Sequence, residues 1–207
     1  MSRKPAHQQI DTLKTLRSVS FELFGRHGYD GVSIGDIASA AGLSKGALYW
    51  HFPGKDALYL DCLKRLHELF DSYVFGPMRQ ESDPVAGILL VFRGVESLTR
   101  DPRVEKGIAG YWLVSSNSMS GEIFEAQRAF EQSSRSTIED TLRRAVDKSR
   151  FDLQGDLEAM SRAMIFLIEA AMLPLRNMSA DEMRDLLGVL ARTLFRAYAP
   201  GMMLPPI

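Results

Sequence analysis

The residues most able to do chemistry lie together in Val32-Ser-Ile-Gly-Asp-Ile-Ala-Ser-Ala-Ala-Gly-Leu-Ser-Lys-Gly-Ala-Leu-Tyr-Trp-His-Phe52. Their spacing writes two short helices hinged at Gly42, a helix-turn-helix. Ser33 to Asp36 resembles a capping box with Asp in place of Glu, and Ser44 is a good N-cap for the second helix. Ile37, Ala38 and Ala41 give the first helix a small apolar face, so the second crosses it closely, anchored by Leu43, Leu48 and Phe52. At roughly 100° per residue, Phe52 points about 40° from Leu48, whereas Gly46 and Trp50 fall near 160° and 200°, flanked by Ala47 and Tyr49. An outward face of glycine, alanine and two aromatics gains little from water. It suits close approach to a groove, with Gly46 letting the backbone come near. Trp50 and Phe52 project to nearly opposite sides, so Trp50 or Tyr49 must be covered by something else, a neighbouring helix or DNA.

Other chemistries find little support. The histidines at 7, 27, 51 and 67 lack metal-site spacing, and no Gly-rich phosphate loop, G-x-S-x-G elbow or H-E-x-x-H motif occurs. No catalytic residue, metal or cofactor is expected, and the chain does not read as an enzyme. Cys62 is the single cysteine, so no internal disulfide can form, which fits a reducing compartment. It falls in the apolar series Leu58, Cys62, Leu66, Leu69 and reads as a buried packing residue. The basic start, Met1-Ser2-Arg3-Lys4, is not followed by the apolar core of a signal peptide. The longest apolar stretch, Ala163 to Leu175, is interrupted by Glu169 and Pro174 and is too short to span a bilayer. A cytoplasmic location is expected.

Over 207 residues the net charge is −1, with 45% hydrophobic and 25% charged residues, as in ordinary globular proteins. The charge is unevenly placed. Residues 1–66 hold nine Lys/Arg against six Asp/Glu, a balance of +3, which leaves −4 for the remainder. A basic N-terminal segment on an acidic body suits a small polyanion-binding head.

The elements that must position these residues read as helices throughout. Ile10, Leu13, Leu16, Phe21 and Phe24 recur at helical spacing, stopped by Gly25 and Gly28. After Pro53-Gly54 a long helix runs from Lys55 to about Phe75, closed by Gly76-Pro77. Asp83-Pro84 and Asp101-Pro102 each open a further helix, and Ser115 to Gly121 is the most loop-like stretch. Glu122 to about Ser149, Asp156 to about Leu175, and a helix capped at Ser179 that runs to Tyr198 complete the chain, with Pro200 and the Pro205-Pro206 tail frayed. The expected class is all-α: a three-helix head over residues 1–54 joined by a long helix to a helical body over 55–207.

At this point the sequence strongly resembles the tetracycline-repressor-like (TetR/AcrR) family of bacterial regulators. The resemblance rests on Phe24, Gly28-Tyr29, Val32-Ser33, Ile37-Ala38, Ala41-Gly42-Leu43-Ser44, Gly46-Ala47-Leu48-Tyr49-Trp50-His51-Phe52 and Lys55-Asp56-Ala57-Leu58. It covers about the first third of the chain. It implies that Ser33, Tyr49, His51 and Lys55 contact phosphates, Lys55 beside the positive end of its helix. It makes Lys45, Gly46 and Ala47 the base-reading positions, where lysine donates to guanine and an alanine methyl packs on thymine. Ser44 and Trp50 complete the expected DNA-facing set. Gly35 stands where some relatives use a long side chain to touch a base, so that contact is absent. Lys45 is open to either a base or a phosphate role, the latter leaving more of the specificity to DNA shape.

The resemblance further implies a helical body that binds a small effector and pairs with a second copy through its last two helices. Leu157, Met160, Met164, Leu167, Ile168 and Ala171 stripe one of these, and Met183, Leu186, Leu187, Leu190 and Leu194 the other. Such stripes serve an intramolecular core or a four-helix dimer, whose recognition helices would lie about 34–36 Å apart. The candidate effector residues are Phe70, Tyr73, Phe92, Glu96, Tyr111, Trp112, Phe124, Gln127 and Met164, with Phe130, Phe166, Asn117, Met119 and Met160 as further candidates. The expected function is a homodimeric repressor that leaves a palindromic operator when an apolar or amphipathic effector binds. The alternatives are an activator of the same fold and a helical ligand-binding or interaction protein that does not bind DNA.

Overall fold

The structure is a computed structural model that describes residues 6–113, 120–153, 156–173 and 178–199, residues 6–10 by backbone alone. Asn117 and Met119, most of the expected 115–121 loop, the end of the eighth helix near Leu175 and the proline-containing tail lie outside the described residues. The regular elements are α1 (Ala6–His27), α2 (Ile34–Ala40), α3 (Lys45–His51), α4 (Lys55–Phe70), a π-turn (Asp71–Phe75), α5 (Gly76–Gln80), α6 (Pro84–Thr99), a 3-10 turn (Ala109–Trp112), α7 (Gly121–Asp147), α8 (Leu157–Met172) and α9 (Ala180–Tyr198). No strand occurs among the described residues, and the all-α expectation holds. None of these helices is long and apolar enough to cross a membrane.

The chain divides into two compact units. One, the head, comprises residues up to Leu66 together with Lys106–Arg128; the other, the body, comprises His67–Glu105 and the residues from Ala129 onward. In the head, Leu16, Phe24, Ile37, Leu48 and Leu58 are fully buried. Tyr59 receives Phe24 and Tyr29 edge-on, at centroid distances of 5.0 and 5.1 Å. Arg17 grips Asp61 through two hydrogen bonds of 3.0 and 2.7 Å, tying α1 to α4. The segment after Glu105 also belongs here: the Tyr111 hydroxyl donates to the Phe21 carbonyl at 3.2 Å, and Lys106 pairs with Glu22 at 2.7 Å.

In the body, α6 is the central element. Its buried face (Val85, Ile88, Leu89, Val91, Phe92, Val95 and Leu98) packs against the π-turn, α5, α8 and α9. The last helix starts at a full capping box, in which the Ser179 hydroxyl accepts from the Glu182 N–H and the Glu182 carboxylate accepts from the Ser179 N–H.

Three boundaries differ from expectation. Helix α1 runs through Gly25 to His27 and ends only at Gly28. Gly76-Pro77 does not close the long helix: Gly76 is itself helical (φ −63°, ψ −53°), and its N–H donates to the Asp71 carbonyl across a π-turn. A Cβ at Gly76 would stand 2.7 Å from that carbonyl oxygen, so the turn requires glycine. Pro77 then occupies the first turn of α5, where no N–H is needed. Asp101-Pro102 opens turns rather than a helix. The Asp101 carboxylate accepts from the Arg103 backbone at 2.8 Å and from the Tyr73 hydroxyl at 2.9 Å. Val104, Ile108 and Tyr111 recur at helical spacing after it, but Gly107, at a φ of +103°, takes the chain off the helical path between them.

Candidate nucleic-acid interface

The helix-turn-helix is built from local rules. Ser33 caps α2 by accepting from the Asp36 N–H at 3.1 Å, while its own N–H donates to the Asp36 carboxylate at 2.9 Å. Helix α2 ends at Gly42, whose φ of +66° lies in the left-handed region that favours glycine. The Leu43 N–H then folds back onto the Ala38 carbonyl at 2.8 Å. Ser44 caps α3 by accepting from the Ala47 N–H at 3.1 Å.

Helix α3 points as its periodicity predicts. Leu48 and Phe52 are buried, whereas Tyr49 is 52% and Trp50 66% exposed. Gly46 is open, with a single neighbouring atom (the Ser44 hydroxyl) at ordinary contact distance from a Cβ built there, and Ala47 is half-buried. Two large aromatic faces turned to solvent beside small residues form a surface that no described residue covers. The Trp50 ring meets the His51 ring edge-on at 4.7 Å, and partial burial moves the His51 pKa below its ordinary value. His51 therefore offers a neutral N–H rather than a charge at neutral pH.

The two lysines are held differently. Lys45 is exposed and lies across the start of α2, its Cε 3.2 Å and its Nζ 3.5 Å from where a Gly35 Cβ would stand. Gly35 thus removes one side chain from the surface and makes room for another. Lys55, at the first turn of α4, sets its ammonium 4.0 Å above the centre of the Tyr29 ring. The Tyr29 hydroxyl donates to Asp56. Burial, reinforced by that carboxylate, pushes the Tyr29 pKa up to about 12, so it remains a donor. The role of Tyr29 as a seat for Lys55 was not legible in the sequence, where Gly28-Tyr29 carries no periodic signal that points to Lys55. The Ser33 hydroxyl is also less free than expected, because it hydrogen-bonds the Asp36 carboxylate at 2.6 Å. To reach an external oxyanion it has to exchange that partner.

The candidate effector residues are divided between the two units. Tyr111, Trp112, Phe124 and Gln127 belong to the head, where Tyr111 is buried on α1 and Phe124 is exposed. Phe70, Tyr73, Phe92, Glu96 and Met164 belong to the body. Phe70, Phe92 and Met164 are buried, and Tyr73 is bound to Asp101. Glu96 accepts from Arg100 at 2.8 Å and from Arg184 at 2.9 Å. A cavity in the body is lined by other residues, among them His67, Asp71, Arg79 and Ser134, with Phe130 the one aromatic candidate that reaches it. Among the described residues no cluster of three or more His, Cys, Asp or Glu is placed to hold a metal.

The stripes on the last two helices divide. Met164, Ile168, Ala171, Met183 and Leu187 are buried within the body, while Leu186 is exposed. A second series on α8 and its C-cap remains at the surface: Ala159, Ala163, Phe166, Ala170 and, at the cap, Leu173, spaced four, three, four and three residues apart, with Phe166 67% exposed. Leu186 and Val189 on α9 are exposed as well.

Comparison with known proteins bears on the head most directly. Residues 16–62 match the family model described as bacterial regulatory proteins, tetR family. The HTH-type transcriptional regulator AcrR of Shigella flexneri is 39% identical over 59 residues, 28% of this chain and 27% of that one. The chain spans about a quarter to a half of the length of the curated relatives it matches. Solved structures extend the likeness of fold across nearly the whole chain. A TetR transcriptional regulator from Chloroflexus aurantiacus aligns with a TM-score of 0.76 at 21% identity, over 93% of this chain and 98% of its own. NalD, the secondary repressor of the MexAB-OprM multidrug efflux pump in Pseudomonas aeruginosa, aligns with a TM-score of 0.71 at 24% identity, over 94% and 100%.

Proposed function

With residues 16–62 this chain belongs to the tetR family of bacterial regulatory proteins, and we propose that it is a homodimeric repressor that leaves a palindromic DNA operator when a small apolar or amphipathic molecule binds its body. The observation that carries the reading is the solvent-facing edge of α3, where Tyr49 and Trp50 stand exposed beside Gly46 and Ala47. Lys45 lies at one end of that edge and Lys55 follows it at the start of α4. Ser33, Tyr49, His51 and Lys55 hold phosphates, and Lys45, Gly46 and Ala47 meet base edges, with Ser44 and Trp50 at the margins. With so many small residues at the reading edge, DNA shape and half-site spacing contribute much of the specificity.

The exposed four-three series on α8, with Leu186 and Val189 on α9, supports pairing with a second copy as a four-helix bundle. An effector that prefers the conformation with misplaced recognition helices lowers operator affinity by its differential affinity for the two states. The α4 helix, with the DNA-facing Lys55 at its start, is the natural carrier of that shift. The domains would be a DNA-binding region over 1–54 and an effector and dimerisation region over 55–207. The protein is a binding protein rather than an enzyme, working in the cytoplasm.

Gel shifts with DNA from upstream of the protein's own gene test this. Lys55→Ala removes one phosphate-bound cation per protomer, so in a dimer the slope of log affinity against log salt should fall by about 2. Tyr49→Ala combined with Lys55→Ala should weaken binding by about 100-fold or more. Affinity that ignores salt and is unchanged in the double variant would overturn the reading.

A further inference from the structure

The body carries a cleft of about 350 Å3, large enough for a small ring compound. It lies among the end of α4, the π-turn, α5 and α7, and His67, Asp71, Arg79, Phe130 and Ser134 line it. One wall is a rigid aromatic stack: the His67 and Phe130 rings lie parallel at 4.0 Å, and Phe70 and Phe75 meet Phe130 edge-on at 6.1 and 5.9 Å. Burial pushes the His67 pKa down to about 4, so its imidazole is neutral at neutral pH and keeps an acceptor nitrogen.

The opposite signal comes from Ser134. Its residue is 3% exposed, and its hydroxyl has no hydrogen-bond partner among the described residues. Neighbouring hydroxyls on α7 behave otherwise: Thr137 donates to the Ser133 carbonyl at 3.0 Å and Thr141 to the Thr137 carbonyl at 2.9 Å. A buried hydroxyl left unpaired is costly, and this one belongs to a cleft wall, where a ligand can pair it. The charge of the lining then restricts the ligand. Asp71 is bound to Arg79 at 2.5 Å, so the single guanidinium is already neutralised, and Glu68 adds a second carboxylate at the rim. With His67 neutral, the lining carries a net negative charge that repels anions.

We propose that this cleft is the effector site and that it takes a small planar organic cation bearing N–H donors, such as an amidinium or an aminopyridinium. Its N–H groups donate to the Ser134 hydroxyl and to the carboxylates of Asp71 and Glu68, and its ring packs beside Phe130 and His67. The assignment of an effector role rests on the regulator reading above; the binding chemistry does not.

Three near-isosteric probes separate the charge states: benzamidinium, neutral benzamide and anionic benzoate, each titrated calorimetrically into the full-length protein up to 10 mM. Benzamidinium should bind saturably and at least 10-fold tighter than benzamide, with benzoate weakest. Asp71→Asn should bring benzamidinium and benzamide close to parity. Ser134→Ala should weaken benzamidinium about fivefold while its melting temperature stays equal or rises, since that hydroxyl has no partner to lose. Benzoate binding as tightly as benzamidinium, no saturable binding of any probe, or unchanged affinity in Ser134→Ala overturns the site. Binding in the expected order with no change in operator affinity at saturation overturns its effector role and leaves the cation site standing. Absence of operator binding without any probe instead sinks the regulator reading, whatever the titrations show.

Discussion

Head and body each contain an aromatic cluster, and the two are finished differently. In the head, Phe24, Tyr29, Tyr59 and Tyr111 close around one another; two of the three phenols are spent inside the unit, on Asp56 and on the Phe21 carbonyl, and the third, on Tyr59, is sealed in the core with no partner among the described residues. In the body, His67, Phe70, Phe75 and Phe130 gather beside an open cleft whose wall includes Ser134, its hydroxyl also without a partner among the described residues. A closed cluster makes a stiff platform, which suits the placing of α3 and Lys55 against a rigid partner. An open one leaves polar groups at the cleft wall, which is what the proposed effector site needs. The contrast can be broken or sharpened by experiment.

The largest effect is expected from Phe24→Ala. Phe24 is fully buried in the closed cluster, and its truncation should cost about 3–5 kcal/mol in urea denaturation. Phe130→Ala, at a half-buried ring on the cleft, should cost about half of that or less. Equal losses would mean that the body's aromatic cluster is as tightly finished as the head's.

The next effect is a dependence on pH carried by His67 of the body. His67 titrates near 6.5 when unfolded and at about 4 in the fold, because burial disfavours its charged form. Between those values the unfolded chain binds the extra proton, so stability is full above about 6.5 and falls as the pH drops toward 4. From pH 7 to pH 5 the loss should be roughly 1–2 kcal/mol, and His67→Phe should remove this component. A stability profile that is the same in His67→Phe and in the parent would show that the imidazole is not desolvated by the stack.

The same contrast governs what could be read in advance. The turn at Gly42, the caps at Ser33 and Ser44, the inward Leu48 and the outward Trp50 all follow from rules that act within four residues. Residues 33–52 therefore announced themselves. The π-turn did not, because it depends on a crossing helix: a Cβ at Gly94 of α6 would strike the Tyr73 carbonyl at 2.2 Å, and no local pattern records that approach. The cleft is harder still. In the sequence His67 offers only its spacing, which fits no metal site, and Ser134 looks like any helix-surface serine, yet the fold buries it at the cleft wall. Tyr111 read as a candidate ligand wall, yet it packs on α1 in the head. Aromatics mark a buried cluster readily; which cluster stays open depends on contacts far apart in the chain.

The smallest effect on stability carries the most information about the head. Gly35→Ala places a methyl 3.2 Å from Lys45 Cε, against the far end of a flexible side chain rather than against backbone. Gly35 sits within α2, so alanine gains up to about 1 kcal/mol of helix propensity, offset in part by moving the lysine. The urea midpoint should therefore change little, or rise. The operator preference should change far more, because the Lys45 ammonium no longer rests over the start of α2 and meets the groove from a new direction. Selection from a randomised half-site, run in parallel on both proteins, reads this directly. A shifted base preference at one or two positions, with stability held, assigns base reading to Lys45 and makes Gly35 its positioning partner. An unaltered preference, with affinity lowered evenly across sequences, instead assigns Lys45 to the phosphate backbone. In either case the stiff platform beneath is unchanged, and that is what allows one methyl at its surface to be read as a change in recognition.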